Sequence, residues 1–260
     1  SGALPNGLSQ NTSNGNITGT LNTSVGSATT YNFTVAATDP ASNRVTRAYS
    51  IVVSPPPTGG TVTNATIGGQ SFRIHTFTSD GQFVSAGGLS QVDALVVAGG
   101  GSAGARHAGG GGAGGVLHIT GATINAGTYA ADLGEGGGRS PDTQPGTSGQ
   151  NTTFFGETAN GGGRTNAYTG TCYTQNGGSG GGQSGRHCNQ TGSATQGNPS
   201  QYSGTGYGNA GGTTNSTSRH FGGGGGGAGG AGQNASSNSM NDCQGGAGVQ
   251  INIDGNNRYW

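Results

Sequence analysis

The sequence predicts an all-β chain with essentially no α-helix, made of short strands that run into and out of glycine runs. Three observations predict it. Sixty-one of the 260 residues are glycine, and they are gathered in runs at 99–101, 109–112, 136–138, 161–163, 180–182, 222–227 and 245–246. Between the runs lie short stretches with the period-two alternation of a half-buried strand. The order strand, glycine run, strand then repeats from about residue 61 onwards, at a spacing too irregular for a simple solenoid. Glycine loses more backbone entropy on folding than any other residue, so a folded chain keeps such runs where the missing side chain lets one backbone approach another closely.

Composition narrows the function classes. Hydrophobic residues are 28% of the chain, well below the usage of about 45–50% (glycine counted) in globular domains, a gap that the glycines nearly close. A wide conventional core is therefore not expected. Nine acids balance nine basic residues, all of them Arg, so no electrostatic footprint for nucleic acid or an anionic membrane exists. No run of 18 apolar residues occurs, which excludes a transmembrane helix and membrane insertion by one. Disorder needs low hydrophobicity together with high net charge, and only the first holds. The three cysteines, Cys172, Cys188 and Cys243, fit no zinc spacing. A Cys172–Cys188 disulfide with Cys243 left over, and three free thiols, stand as equal readings.

Residues 1–54 read as β. The stretch 28–38 alternates with Tyr31, Phe33 and Val35 on one face, and 45–53 alternates more loosely through Tyr49, Ile51 and Val53. The link Asp39-Pro-Ala-Ser-Asn43 is turn chemistry, so the two form a hairpin. Two strands and a weak third do not complete a sandwich, and a part is expected to be missing on the N-terminal side. Leu4-Pro-Asn-Gly-Leu8, Gly15-Asn-Ile-Thr-Gly-Thr20, Tyr31-Asn-Phe-Thr-Val35 with Ala37-Thr-Asp39, and Tyr49-Ser-Ile-Val-Val53 resemble the second half of an immunoglobulin-like, cadherin-like repeat. The resemblance implies a partial Ig-like sandwich acting as a spacer or adhesion module. The calcium binding of cadherin relatives is not carried over, because Asp39 alone supplies no ligand set. Residues 55–60 follow as a Pro/Gly linker, a semi-rigid joint favouring polyproline II.

Residues 61–260 form the second domain. Phe72-Arg-Ile-His-Thr-Phe77 alternates, and 82–84 follows a Ser-Asp-Gly turn. Val92-Asp-Ala-Leu-Val-Val-Ala98 reads as a buried strand running into 99–101. Strands at 115–120, 129–133 and 248–253 border later runs. The runs lack the Gly-X-Y period of collagen. A bundle of polyglycine II helices fits them instead: extended, three residues per turn, with sideways N–H and C=O groups that neighbouring helices can pair.

Phe72-Arg-Ile-His-Thr-Phe-Thr-Ser-Asp-Gly-Gln-Phe83, Val92-Asp-Ala-Leu-Val-Val-Ala-Gly-Gly-Gly101, Gly109-Gly-Gly-Gly-Ala-Gly-Gly115, Gly127-Thr-Tyr-Ala-Ala-Asp-Leu-Gly-Glu-Gly-Gly138, Gly149-Gln-Asn-Thr-Thr-Phe154 and Gly161-Gly-Gly163 resemble the glycine-rich domain of marine phage and cyanophage virion structural proteins, which are tail-fibre-like. The resemblance implies a virion surface (extracellular) location, other virion proteins as partners, and a homo-oligomer such as a trimer. The family's closing segment is usually followed by a further aromatic and glycine run, so truncation is expected at the C-terminal side too.

Catalytic constellations are poor. The five histidines show no His-x-x-x-His or His-Glu-x-x-His spacing, although His107, His187 and His220 are a conceivable ligand set. No nucleophile elbow sits on a strand-to-helix turn, and Glu135 and Glu157 are the only glutamates. No enzyme activity, metal or cofactor is expected. The exception to the plain pattern is a polar loop insert at 164–220. It holds Arg164, Tyr168, Tyr173, Arg186, His187, Tyr202, Tyr207, Arg219 and His220 among many Asn, Gln, Ser and Thr, which is the palette of adaptable binding loops. The competing reading is a solvated loop whose tyrosines pack on its own backbone.

The function expected is a non-enzymatic virion structural protein, part of a phage fibre or appendage that displays the glycine-rich domain for attachment to a host polysaccharide or protein receptor. A capsid decoration or assembly protein, a bacterial extracellular adhesin with the same modules, and an ice-binding protein are the alternatives. The last needs a regular Thr/Ala face that the irregular spacing argues against.

Overall fold

The computed structural model describes residues 2–141, 143–167, 171–173, 175–185, 188–214, 220–235 and 243–260. Among them there is no helix, and the regular structure is all β. The chain separates into two compact units. The first is Ser1–Thr58 with Val84–Leu89 and Ile124–Thr128, and the second is Gly59–Phe83, Ser90–Thr123 and Tyr129–Trp260.

In the first unit β1 (Leu8–Gln10) pairs antiparallel with β2 (Ile17–Gly19), and β3 (Thr29–Thr38) with β4 (Arg44–Val53). The β3–β4 register runs from Thr29 opposite Val53 to Thr38 opposite Arg44. Asp39 closes the turn, its carboxylate accepting from Asn43 N and Asn43 Nδ2 at 2.8 Å each. Phe33 and Val53 are buried, whereas Val45 and Val52 are 71% and 60% exposed. The alternation that defines the hairpin is present, the Ig-like β arrangement is as expected, and most of β4 is exposed.

The second unit begins with the hairpin of β5 (Thr61–Ile67) and β6 (Gln70–Thr76), β5 being a strand that the alternation did not single out. Its two-residue turn is Gly68-Gly69, both at positive φ (58° and 82°), the geometry that matches strand twist in a tight hairpin. β7 (Gly81–Ser85), β10 (Gly127–Asp132), β11 (Thr152–Phe154) and β12 (Glu157–Ala159) make a sheet in the order β12-β11-β10-β7. β8 (Leu89–Val97), β9 (Val116–Ile124) and β13 (Gly204–Tyr207) make another in the order β13-β9-β8. A last pair, β14 (Gln250–Ile251) and β15 (Arg258–Tyr259), lies near the end of the chain.

The β13-β9-β8 sheet explains the near-continuous apolar run at 92–98. On one side Val96 and Leu117 pack with Ala98, Ala159 and Phe154; on the other Leu95 and Val116 pack with Ala228, Ile251, Tyr207, Val249 and Ile253. A strand buried on both faces loses its polar alternation. An aromatic cluster forms a further core, with Phe83 edge-on to Phe155 at 5.8 Å, Phe154 stacked on Phe155 at 3.9 Å and Tyr129 edge-on to Phe155 at 5.0 Å. Phe155 is a buried core residue, and Phe154 packs half-buried beside it.

The glycine runs join through their backbones. In the run at 98–102, Ala98 N and Gly101 N donate to Gly115 O and Gly112 O, while Gly99 N and Ser102 N donate to Gln150 O and Thr147 O. In the run at 223–227, Gly223 N and Gly226 N donate to Gln183 O and Gly180 O, and Gly224 N and Gly227 N to Gln233 O and Gly230 O. In both, the partner segment repeats every three residues, so each run bonds to several neighbours rather than to two flanking strands. Buried polar backbone is satisfied without side chains. The room for it is atomic: a Cβ on Gly112 would lie 2.1 Å from Ser179 O, and one on Gly162 would lie 2.2 Å from Gly112 O.

The segment 164–220 is not a single loop insert. Residues 177–182 and 208–212 enter this backbone network: Gly182 N donates to Gly110 O, Gly211 N to Gly192 O and Gly212 N to Gly224 O. β13 pairs with β9. Glycines inside the insert carry the same hydrogen-bonding grammar as those outside it, and that draws most of the segment into the body.

Candidate functional site

What remains of the insert as loop gathers where the runs turn back. Thr165, fully buried, donates its hydroxyl to Gly109 O (3.1 Å) and accepts from Gly104 N (2.9 Å). Ser184 Oγ donates to Asn166 O (2.6 Å), and Gly185 N donates to His107 O (2.8 Å). Three loops, near 104–109, 164–167 and 184–185, are tied together by these bonds.

Asn166 organises the first candidate surface. Its side chain is completely buried; Oδ1 accepts from Tyr173 N (2.8 Å) and Nδ2 donates to Tyr173 O (3.0 Å). The amide thus reads both polar groups of the Tyr173 backbone and fixes the residue. The Tyr173 ring stays 39% exposed, and the Arg164 guanidinium carbon lies 4.3 Å from its centroid, a close cation–π stack. Arg164 Nε is buried with no hydrogen-bond partner among the described residues. Beside Tyr173, Cys172 is disulfide-bonded to the buried Cys188. Cys243 lies outside that bond.

The other sequence-chosen residues fall elsewhere. Tyr202 is half-buried against Phe155, with ring centroids 6.3 Å apart. Burial above all, then the nearby Tyr129 and Glu157, push its phenol above the ordinary tyrosine value. Tyr207 is a β13 residue packed on the Val116 cluster. Both therefore belong to the packed body and not to the Arg164–Tyr173 surface. His220 is exposed and lies on His107, ring centroids 4.5 Å apart. Tyr168, Arg186, His187 and Arg219 lie outside the described residues. Asn166 is the residue that sequence reasoning missed. Its only signal was an amide side chain close to an aromatic in a loop, and the chain has many such pairs.

Glu157 shows what a carboxylate does here. It is buried, and accepts from Ser200 N at 2.9 Å, Ser200 Oγ at 3.1 Å and Gln201 N. Burial alone would push its carboxyl up, but these hydrogen bonds and one from the Tyr202 backbone outweigh it and hold the group below the usual range. The group is an anchor for the 200–202 turn. Among the described residues no three His, Cys, Asp or Glu side chains converge as a ready metal centre, and no helix is long and apolar enough to cross a membrane.

Residues 77–260 match the model of a family described as "Glycine-rich domain", and residues 1–54 match one described as "Putative Ig domain". The order of the two modules is the one that the resemblances imply. No curated protein and no solved structure matches the chain.

Proposed function

Because the chain belongs to the glycine-rich domain family and carries an Ig-like domain ahead of it, a structural or adhesion-type protein, we propose that it is a non-enzymatic segment of a phage fibre or surface appendage, exposed on the virion. In this reading the Ig-like part is a spacer. The glycine-rich part is a rigid display body whose runs are polyglycine II helices, a view supported by the three-residue repeat of their hydrogen-bond partners. The loops near 164–173 contact a polysaccharide or protein on the host surface.

The observation that carries the reading is the Arg164–Tyr173 stack. A part-exposed ring whose backbone is held by the buried Asn166 and which is backed by a guanidinium is a preorganised face for a sugar ring or a peptide, and little ordering entropy remains to be lost on binding. Neighbouring copies of the chain and other virion proteins would set its presentation.

The test is adsorption. The purified chain should bind host cells or their extracted surface polysaccharide saturably, and Tyr173→Ala should lower the affinity by about tenfold or more, the loss expected for an aromatic hot spot. Equal binding by wild type and variant removes the stack from the receptor site. Recovery of the chain from purified virions supports the virion assignment, and recovery only from a bacterial envelope overturns it in favour of a bacterial adhesin.

A further inference from the structure

The chain is neutral as a whole, but its charges are unevenly divided. The glycine runs turn back through loops that hydrogen bonds hold together. Ala105 N donates to Gln144 O (3.0 Å), Gly146 N to Thr165 O (2.9 Å) and Gly185 N to His107 O (2.8 Å). His107 Nδ1 donates to His220 O (2.9 Å), and Cys243 lines a surface cavity with both histidines. In sequence these loops carry Arg106, Arg139, Arg164, Arg186 and Arg219 against Asp142 and Asp242, an excess of three positive charges. The rest of the chain holds four arginines and seven acids. Not one acid stands between Glu157 and Asp242. Arg186, Arg219, Asp142 and Asp242 lie outside the described residues, so the site is built on Arg164.

We propose that the Arg164–Tyr173 surface selects an acidic polysaccharide, one whose sugar ring carries a carboxylate. This deepens the adhesion reading and rests on it. Arg164 holds its guanidinium over Tyr173, 4.3 Å from the ring centroid. Its Nε is buried without a hydrogen-bond partner. Among the described residues Arg258 pairs with Asp254, and no carboxylate pairs with Arg164. Its Nη1 and Nη2 are neither hydrogen-bonded among the described residues nor sealed from water. A part-buried cation without a counter-ion is costly. The tyrosine ring recovers some of that cost, and an anion brought from outside recovers more.

Two chemistries meet at this place. The exposed part of Tyr173 offers an aromatic surface to the C–H groups of a pyranose. The two open Nη groups form a planar fork that matches a carboxylate with two parallel hydrogen bonds. A uronate carries both features on one ring. A neutral sugar leaves the fork unpaired, which is the basis of discrimination against it. The surplus charge of the surrounding loops attracts a charged polymer at longer range and is screened by salt. Arg164 and Tyr173 supply the short-range choice. An arginine that served only to brace Tyr173 could be paired with an acid at no loss, and residues 158–241 contain none.

The experiment measures binding of the full chain, its disulfide intact, to immobilised polygalacturonate, alginate and hyaluronate. Each polymer is compared with its carboxyl-reduced form, in which every uronate becomes a neutral hexose on an unchanged backbone. At least one uronate polymer should bind saturably, and reduction should weaken that binding more than about tenfold. Arg164→Gln should weaken it to a similar extent while leaving the circular dichroism unchanged. Arg164→Lys, which keeps the charge but loses the fork, should retain only part of the affinity. If Arg164→Gln unfolds, the reduced polymers and Arg164→Lys carry the test. Equal binding before and after reduction, binding to none of the uronate polymers, or equal binding to dextran sulfate or single-stranded DNA would each overturn the selection of a carboxylate sugar. Adsorption to host cells that still depends on Tyr173 would then show that only this selectivity has failed. Adsorption indifferent to Tyr173→Ala would show that the adhesion reading of the stack has failed with it.

Discussion

At the scale of single residues, the glycines of this protein are not interchangeable. A Cβ at Gly225 would stand 2.0 Å from Gly111 O, whereas one at Gly100, within another run, would come no nearer than 3.7 Å to Gly112 O. The first is a collision with the backbone of a neighbouring run; the second is an ordinary contact. Gly225→Ala is therefore expected to cost about 3 kcal/mol or more, a fall of roughly 6–12 °C in Tm for a unit of this size. Gly100→Ala should stay within about 1 kcal/mol of wild type, helped by the reduced entropy of its unfolded chain. Thermal unfolding of the two variants checks this, and equal losses would mean that the runs are not closely apposed. Nothing in the glycine pattern separates these positions, because both sit in a run and only the neighbouring strand of backbone differs.

Among elements, the legible ones were those with their own periodicity. The β3–β4 hairpin, the strands at 92–97 and 116–120 and the start of β14 follow from alternation or apolar runs. β13 was not legible: Gly204–Tyr207 has no strand pattern, and it is a strand because β9 offers an edge to pair with. The turn between β11 and β12 shows the same dependence. Phe155 takes φ 53° there, a conformation that a bulky residue rarely adopts, and is kept in it by the aromatic cluster around its ring. Glu157, just after that turn, couples β12 to the 200–202 turn through its hydrogen bonds. Its folded carboxyl lies below the ordinary value of 4.5. The stabilisation is thus present in full above about pH 4.5 and is lost as the pH falls through the lower folded value. Unfolding midpoints measured from pH 6 to pH 3 should fall more steeply for wild type than for Glu157→Gln, with the gap between them narrowing towards pH 3. Parallel curves would show that the carboxylate is not the anchor. The Arg164–Tyr173 surface was half legible: both residues were chosen from composition, but only the buried Asn166 and the Cys172–Cys188 disulfide bring them together.

Over the whole molecule, the second unit replaces the side-chain core of an ordinary domain with small apolar clusters and a hydrogen-bonded mesh of backbone. A mesh in which each run has several partners opens only when several runs separate together, so its amides should open in one cooperative unit. Hydrogen exchange read residue by residue should find the amides of Gly223, Gly224 and Gly226 protected as strongly as those of β9. In the first unit, the amides of β4 that face no neighbour should exchange much faster, since most of that strand is exposed. Glycine-run amides that exchange within seconds would overturn the mesh as the source of rigidity.

The strand classes, the absence of helix among the described residues, the order of two modules and the demand that glycine runs approach one another closely were all contained in the chain's letters, because each rests on local periodicity or on a missing Cβ. Which run bonds to which, which glycines tolerate a methyl group, that the segment 164–220 threads into the body, and that His107 meets His220 were decided by the tertiary structure. The physical reason is that backbone N–H and C=O groups are the same at every residue. A fold held mainly by such groups leaves no side-chain signature of its pairing, and only the packed arrangement of the runs selects the partners.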